Sequence, residues 1–413
     1  MSPMNSQRDI SLLFITRILR LFAYGFLSVV LALYLAQVGL SEGQIGLLLT
    51  LTLAGDASVT LWITTTADRI GRRRMLILGA MLMILAGGVF LLTHDPLLLT
   101  VAAIVGVISP SGNEIGPFLS IEQAGLTQIV ANQQRTHVFA WYNLVGSFAT
   151  ATGALAGGWL ATALQNSGQT ALVSYQVVIG GYAFAGLLLI GCFLGLSSQI
   201  EVGAGSPRPS GVDPTRKTTL GLHKSRGVVL KLSSLFALDA FAGGLIVQSM
   251  LAYWFHIRYG VDVGVIGSIF FGANILAGIS ALLAVPRARK IGLINTMVFT
   301  HIPSNLLLML VPLMPNLPLA IVVLLARFSI SQMDVPTRQS YVMAVVAPDE
   351  RSAASGVTAI ARSIGASAAP VLTGLFMGVP ALFSLPFYLC GGLKIVYDLL
   401  LFREFRAVKP PEE

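Results

Sequence analysis

The chain has 413 residues, 55% of them hydrophobic and only 11% charged, a balance that excludes a water-soluble globular domain because no aqueous core absorbs so much apolar surface. Its formal net charge of +8 raises nucleic acid as a partner, but the basic residues cluster between apolar segments, which points to a membrane instead. Cys192 and Cys390 lie inside apolar segments, and His94, His137, His223, His256 and His301 show no ligand spacing, so neither a disulfide framework nor a metal centre is expected.

Crossing a hydrocarbon layer of about 30 Å takes roughly 20 mostly apolar residues per helix. Twelve such stretches are predicted, at 11–36, 46–66, 75–93, 97–122, 137–163, 174–196, 228–256, 263–285, 292–314, 317–341, 353–378 and 380–402. They are rich in Leu, Ala, Ile, Gly and Val without the alternation of a barrel, so they read as helices. The first is too long for a cleavable signal and carries Arg17 and Arg20, the mark of a retained span. Arg69, Arg72, Arg73 and Arg74 follow span two. Arg208, Arg216, Lys217, Lys224 and Arg226 follow span six, Arg287, Arg289 and Lys290 follow span eight, and Arg403, Arg406 and Lys409 close the chain. All these loops fall on one side, and the other side carries only Arg258, so both termini are expected in the cytoplasm of a multi-pass plasma-membrane protein, the inner membrane in a bacterium.

Between spans six and seven runs a polar stretch with Gly203, Gly205, Pro207, Pro209, Gly211 and Pro214, the composition of a flexible linker. It divides the chain into a six-helix bundle at 1–196, a cytoplasmic linker at 197–227 and a second bundle at 228–413. The halves resemble each other. Gln123, Val130, Ala131 and Arg135 fall on Gln339, Val346, Ala347 and Arg351 at a shift of 216, as Gly158 falls on Gly374. A shift of 221 places Gly39, Gly43, Ile45, Gly46, Ile70 and Gly71 on Gly260, Gly264, Ile266, Gly267, Ile291 and Gly292. A duplicated six-helix unit is a transporter architecture, with the solute held between the repeats near the midplane; a duplicated scaffold that no longer transports is the alternative.

The segment from Ala67 to Arg74, Ala-Asp-Arg-Ile-Gly-Arg-Arg-Arg, resembles the signature loop of the major facilitator superfamily, and the twelve spans, linker and repeat extend the resemblance over the whole chain. Thr64 stands where the family's loop begins with glycine. The resemblance implies an all-α fold of two pseudo-symmetric six-helix bundles and a gating role for Asp68, Arg69, Gly71, Arg72 and Arg73, latching the halves in one access state. Read without the family, a carboxylate here can cap a helix start, the arginines can meet carboxylates or lipid headgroups, and Gly71 permits the turn; Arg73 and Arg74 also fit simple topology charges. Spans five and eleven resemble the Gly-Pro motif of the superfamily's antiporters, through Gly153, Gly157 and Gly158 with Ala154 in the proline's place, and through Gly365, Pro370 and Gly374. Such residues serve as a helix-packing pivot or as packing alone.

Charged side chains in hydrocarbon cost at least about 2.5 to 3.5 kcal/mol, so they mark cavities, pairs or proton paths. On or near spans lie Arg17, Arg20, Asp56, Glu114, Glu122, Asp239, Arg327, Asp334, Arg338, Arg362, Lys394 and Asp398. Family architecture implies that spans one, four, seven and ten line the cavity. That selects Arg17, Arg20, Tyr24, Asn113, Glu114, Asp239, Gln248, Arg327, Gln332 and Asp334 as a substrate and proton pathway, joined by Arg362, which the repeat sets against Gly146. Asp334 and Arg338, four apart, can pair on one helix face. Glu114 is the expected proton carrier, flanked by Gly112, Asn113, Gly116 and Pro117, unless Arg17, Arg20 or Arg362 neutralises it; Asp239 and Asp56 come next. The arginine that proton-coupled multidrug members of the family carry in span four is Ser111 here, which weighs against a multidrug exporter.

The expectation is a secondary transporter without cofactor, driven by H+, that exports or exchanges a small organic solute by alternating access, monomeric in the lipid bilayer and without nucleic acid. An exchanger or symporter of an anionic solute, suggested by Arg17, Arg20, Arg327 and Arg362, and a non-transporting membrane sensor are the alternatives. No nucleophile, general base or phosphate loop suggests an enzyme.

Overall fold

A computed structural model describes residues 3–113, 116–130, 134–201, 222–347 and 350–406. Glu114, Ala131, linker residues 202–221 with Arg208, Arg216 and Lys217, and Lys409 lie outside the described residues. Among the described residues, ten helices are long and apolar enough to cross a membrane, and two shorter apolar ones, Pro96–Val105 and Leu317–Phe328, belong to spans four and ten. Together they make the twelve-helix bundle expected from the sequence. Large apolar side chains such as Trp62, Leu85, Phe184 and Val322 stand exposed along the spans, as a lipid environment requires.

Span one is α1 (Pro3–Ser28) with α2 (Leu31–Gln37), span two α3 (Glu42–Ile70), span three α4 (Arg72–Leu92), and span four α5 (Pro96–Val105) with α6 (Phe118–Ile129). Spans five and six are α7 (Arg135–Asn166) and α8 (Ala171–Leu194); span seven is α9 (Arg226–Gly244) with α10 (Gln248–Tyr259). Spans eight and nine are α11 (Val263–Ile291) and α12 (Leu293–Leu310), and span ten is α13 (Leu317–Phe328) with α14 (Asp334–Val345). Span eleven is α15 (Arg351–Ser367) with α16 (Pro370–Met377), and span twelve is α17 (Leu385–Phe405).

The halves start equivalent helices by the same local chemistry. Asp95 caps α5 through the amide of Leu98 at 2.9 Å, and Asn316 caps α13 through that of Leu319 at 3.1 Å, each with a proline in the first turn. Tight turns with positive φ at Gly71 (115°) and Gly292 (86°) join spans two to three and eight to nine, positions that favour glycine.

Spans one, four, seven and ten, each expected as one helix, are all interrupted. In span four the cause is local: Gly106, Pro110, Gly112, Gly116 and Pro117 fall within a dozen residues, too many breakers for a continuous helix. The freed backbone finds partners in the protein. The Tyr182 hydroxyl donates to Val107 O, Thr150 Oγ1 to Gly112 O at 3.3 Å, Ser109 Oγ to Asn113 O at 2.8 Å and the Ser249 amide to Pro110 O at 3.0 Å. Non-helical backbone at membrane depth is tolerated only with such partners. Span eleven breaks just before Pro370, whereas span five, with Ala154 there, runs unbroken through 32 residues.

The chain forms two compact units, one of residues 1–206 and 247–274, the other of 207–246 and 275–413. Within the first, α1 packs on α7 and α4 on α8; within the second, α9 packs on α15 and α12 on α17. Each unit therefore repeats the same helix pairings.

Candidate functional site

The loop after span two is built around Gly71. Its turn lets α4 start at once on Arg72, and the amides of Arg72 and Arg73 donate to Glu201, at 2.7 Å and 3.1 Å. Glu201 thus caps the positive end of α4. Asp68 does not; one turn back on α3, it accepts from Arg72 Nε at 2.9 Å. Arg72 Nη1 also donates to Gln128 Oε1 and to Ile200 O, and Arg73 Nη1 to Leu196 O. Arg69 and Arg74 are exposed.

Deeper in the first unit, Arg20 of α1 and Glu122 of α6 form a two-pronged pair at 2.8 and 2.7 Å, with both side chains wholly buried. Thr16 Oγ1 donates to the same carboxylate at 2.8 Å, as does the Tyr142 hydroxyl from α7. Glu122 therefore accepts four hydrogen bonds, including the bidentate geometry in which guanidinium binds carboxylate most strongly. Arg17 donates through Nε to Tyr142 O at 3.1 Å, its guanidinium 4.6 Å over the Tyr142 ring.

Gln248, at the start of α10, donates to Ser28 Oγ at 2.7 Å and accepts from Asn274 Nδ2 at 3.3 Å. With the Ser249 amide on Pro110 O, this joins the breaks of spans one, four and seven. Tyr24 is buried one turn before Ser28, Asn113 is exposed, and Asp56 of α3 borders the span-four break beside Gly116.

The second unit holds a larger charged cluster. Asp239 of α9 accepts from Lys394 of α17 at 2.6 Å, from Arg362 of α15 at 3.0 Å and from Arg338 of α14 at 3.2 Å. Arg338 also reaches Asp334 at 2.9 Å, so the pairing expected from their spacing is shared with a third helix. One turn along α17 from Lys394, Asp398 meets His301 Nδ1 at 2.9 Å and Asn305 Nδ2 at 3.4 Å, both on α12. Arg362 is the open member: its side chain is 34% exposed, against 4% for Asp239 and 11% for Lys394. Arg327 lies outside the cluster, 4.8 Å over the Phe328 ring, and its buried Nε finds no hydrogen-bond partner among the described residues. Gln332, in the turn between α13 and α14, is half-buried, and its backbone N–H donates to Ser280 Oγ at 3.2 Å.

The sequence profile of the Major Facilitator Superfamily matches residues 13–370. The chain belongs to the Major Facilitator Superfamily. A curated relative, the uncharacterized membrane protein YJR124C of Saccharomyces cerevisiae, is 30% identical over 98% of this chain and 95% of its own length. Among solved structures, a point mutant of the nucleoside transporter NupG superposes with a TM-score of 0.76 at 13% identity, covering 96% of this chain and 99% of that one. A bacterial homologue of the human lysosomal transporter Spinster gives 0.69 at 18% identity over 98% and 96%. At those identities the likeness establishes the fold. As a superfamily member, the chain is a multi-pass membrane transporter of small solutes.

The glycines of spans five and eleven sit at close helix contacts. A side chain at Gly153 would put its Cβ 2.0 Å from Phe22 O, and one at Gly157 2.3 Å from Phe26 O; the same construction at Gly365 meets Ala237 O at 2.2 Å. Gly158 abuts Gly267 of α11, and Gly374 is buried in α16.

Of the pathway candidates, then, Asp239, Asp334 and Arg362 come together in one cluster, Arg20 is committed to Glu122, and Gln248 binds the broken-span junction. Sequence reasoning passed over Glu122, Arg338, His301, Lys394 and Asp398 as site residues. A signal existed for one of them: Thr16 and Arg20 share a helix face, a donor pair that called for an acceptor in a neighbouring span.

Proposed function

We propose that the protein is a proton-coupled secondary transporter that exports or exchanges a small organic solute by alternating access. The observation that carries this reading is the Asp239 cluster: Asp239, Asp334, Arg338, Arg362 and Lys394, from four spans, gathered in the second unit, an arrangement too costly in hydrocarbon to persist without a task. Interrupted helices in spans one, four, seven and ten support it, because half-helix ends and unwound backbone are how transporters bind ions and solutes. In this reading the Asp68 to Arg73 loop acts as the gate, the glycines at 153, 157, 158, 365 and 374 with Pro370 act as the pivot, and the protein works as a monomer in the plasma membrane with both termini cytoplasmic. It needs no cofactor and carries out no catalysis.

A second reading, an anionic solute, is favoured by Arg327 and Arg362, one with an Nε that has no partner among the described residues and the other partly open. Guanidinium suits carboxylate and phosphate groups. The test is the purified full chain in liposomes, first screened by thermal shift against carboxylates, phosphate esters, sugars and amines, then assayed with each stabilising compound under an imposed pH gradient. Flux should follow the gradient. Transport that is intact but indifferent to pH removes the coupling, and Arg327→Lys should selectively depress flux of anions if the solute is one.

A further inference from the structure

The buried carboxylates of the described spans differ in who neutralises them. Asp9, near the start of α1, accepts from the amide and hydroxyl of Ser197. Deeper in the spans, Glu122 has Arg20, Asp334 has Arg338, and Asp239 has Arg338, Arg362 and Lys394. Arginine keeps its charge at every physiological pH, so these three deeper carboxylates have a permanent counter-charge and no need of a proton. Asp398 is different. It is wholly buried, and its ionic partner is His301, the one side chain type whose charge changes within about pH 5 to 8. Lys394, one turn away on α17 and well placed to pair with it, is turned instead to Asp239 at 2.6 Å.

The surroundings of this pair suit two protonation states. Asn305 Nδ2 donates to Asp398 Oδ2 at 3.4 Å, while its own Oδ1 is buried with no partner among the described residues. An amide turned over would offer that oxygen to a carboxyl O–H, so one residue can serve the ionised and the protonated acid. Ser304 Oγ, on the same helix, is likewise buried and unpartnered among the described residues. The charged groups acting on Asp398 are Lys394 on α17 and Asp239 on α9, while Arg338 and Asp334 on α14 act on the neighbouring Tyr397. With Arg362, three carboxylates face three permanent cations, so the cluster is neutral while His301 is uncharged and gains one positive charge when the pair takes a proton.

We infer that the buried Asp398–His301 pair, between spans nine and twelve, is where this transporter loads and releases its coupling proton. The step is a plain transfer: one proton from water adds to the pair and leaves again, with no bond otherwise made or broken. The added charge is felt at Lys394 and so at Asp239, which ties proton loading to the helices that hold the cluster. This assignment rests on the coupled reading above.

The decisive measurement is infrared difference spectroscopy on the full chain in liposomes, titrated from about pH 8 to about pH 5. A protonated-carboxyl band should grow in as pH falls, disappear in Asp398→Asn, and move its midpoint in His301→Gln and in Asp398→Glu, which keeps an acid in place should the asparagine variant fail to fold. A band unchanged in all three variants overturns the assignment. Proton-driven transport retained by Asp398→Asn also overturns it and leaves the coupled reading standing, whereas a wild-type chain whose transport ignores pH overturns the coupled reading whatever the band does.

Discussion

The two halves make the same bond with its polarity reversed. At the repeat's shift of 216, Glu122 of span four falls on Arg338 of span ten, and each reaches an opposite charge on the first span of its own half, Arg20 in one case and Asp239 in the other. The neighbouring position is inverted too. Arg362 of span eleven falls on Gly146 of span five, and the room above Gly146 is filled by Leu21 and Arg17, both from span one, with Leu21 Cδ1 2.5 Å and Arg17 Nε 2.9 Å from where a Cβ would stand. Each half thus sets a guanidinium at one slot but supplies it from opposite helices. In the first half the result is closed, one carboxylate with a two-pronged cation and two hydroxyls. In the second it is an open network in which Asp239 shares three cations and Arg362 stays partly exposed. The place of the charge is common to both halves while its sign and redundancy differ, a single rivet in one half and a shared cluster in the other.

The largest expected effect breaks the rivet. Arg20→Leu leaves Glu122 buried without its cation, which costs about 3 to 5 kcal/mol when a buried pair loses one partner. Lys394→Met removes one of three cations from Asp239 and should cost less, about 1.5 to 3 kcal/mol. Thermal unfolding of both variants in the same detergent checks the order, and Arg20→Leu combined with Glu122→Leu should regain part of the loss. Equal losses for the single variants would show that the second cluster has no redundancy.

A smaller effect tests whether spans five and eleven are equally tight against spans one and seven. Alanine at Gly153 or Gly365 drives a methyl into a backbone carbonyl, Phe22 O or Ala237 O, and backbone cannot step aside as a flexible side chain can. Each should cost about 1 to 3 kcal/mol, while Gly356→Ala, with nothing within 4 Å, should be neutral. Measured by the same unfolding assay, a large difference between Gly153→Ala and Gly365→Ala would mean that the break before Pro370 lets span eleven yield where span five cannot.

The spans and the turn after span two were legible because they depend on local properties: apolar length, a glycine where φ must be positive, an acid or amide before a proline-led helix. The break in span four could be read from its glycines and prolines; that in span one, at Val29 and Val30, carries no such residue and follows from packing. The charged sites resisted for a related reason. Asp334 and Arg338 are one turn apart and could be paired on paper, but Lys394 and Asp398 obey the same rule and do not pair, since Asp239 from another helix holds the lysine. His301 and Asp398 lie 97 residues apart, and only the fold makes them neighbours.

The smallest effect compares the anchors at the two ends of the linker. Glu201, near its beginning, caps α4 through two amides, and Glu350, just before span eleven, binds the amides of His223, Lys224 and Ser225 near its end. Burial alone would raise the Glu350 carboxyl, but the hydrogen bonds from Ser225 and His223 outweigh it and hold the group at about 2, below its ordinary 4.5. A carboxyl depressed by folding contributes stability above its unfolded value, and that contribution is lost as pH falls through the folded one. Hydrogen exchange at residues 223–225 should therefore show protection that is constant above about pH 4.5 and declines toward about pH 2. Glu350→Gln should lower that protection at neutral pH and flatten its acid dependence, leaving the Arg72 and Arg73 amides on Glu201 unaffected. Amides at 223–225 as well protected in the variant as in the parent would mean that the second anchor rests on packing of α9 and not on the carboxylate.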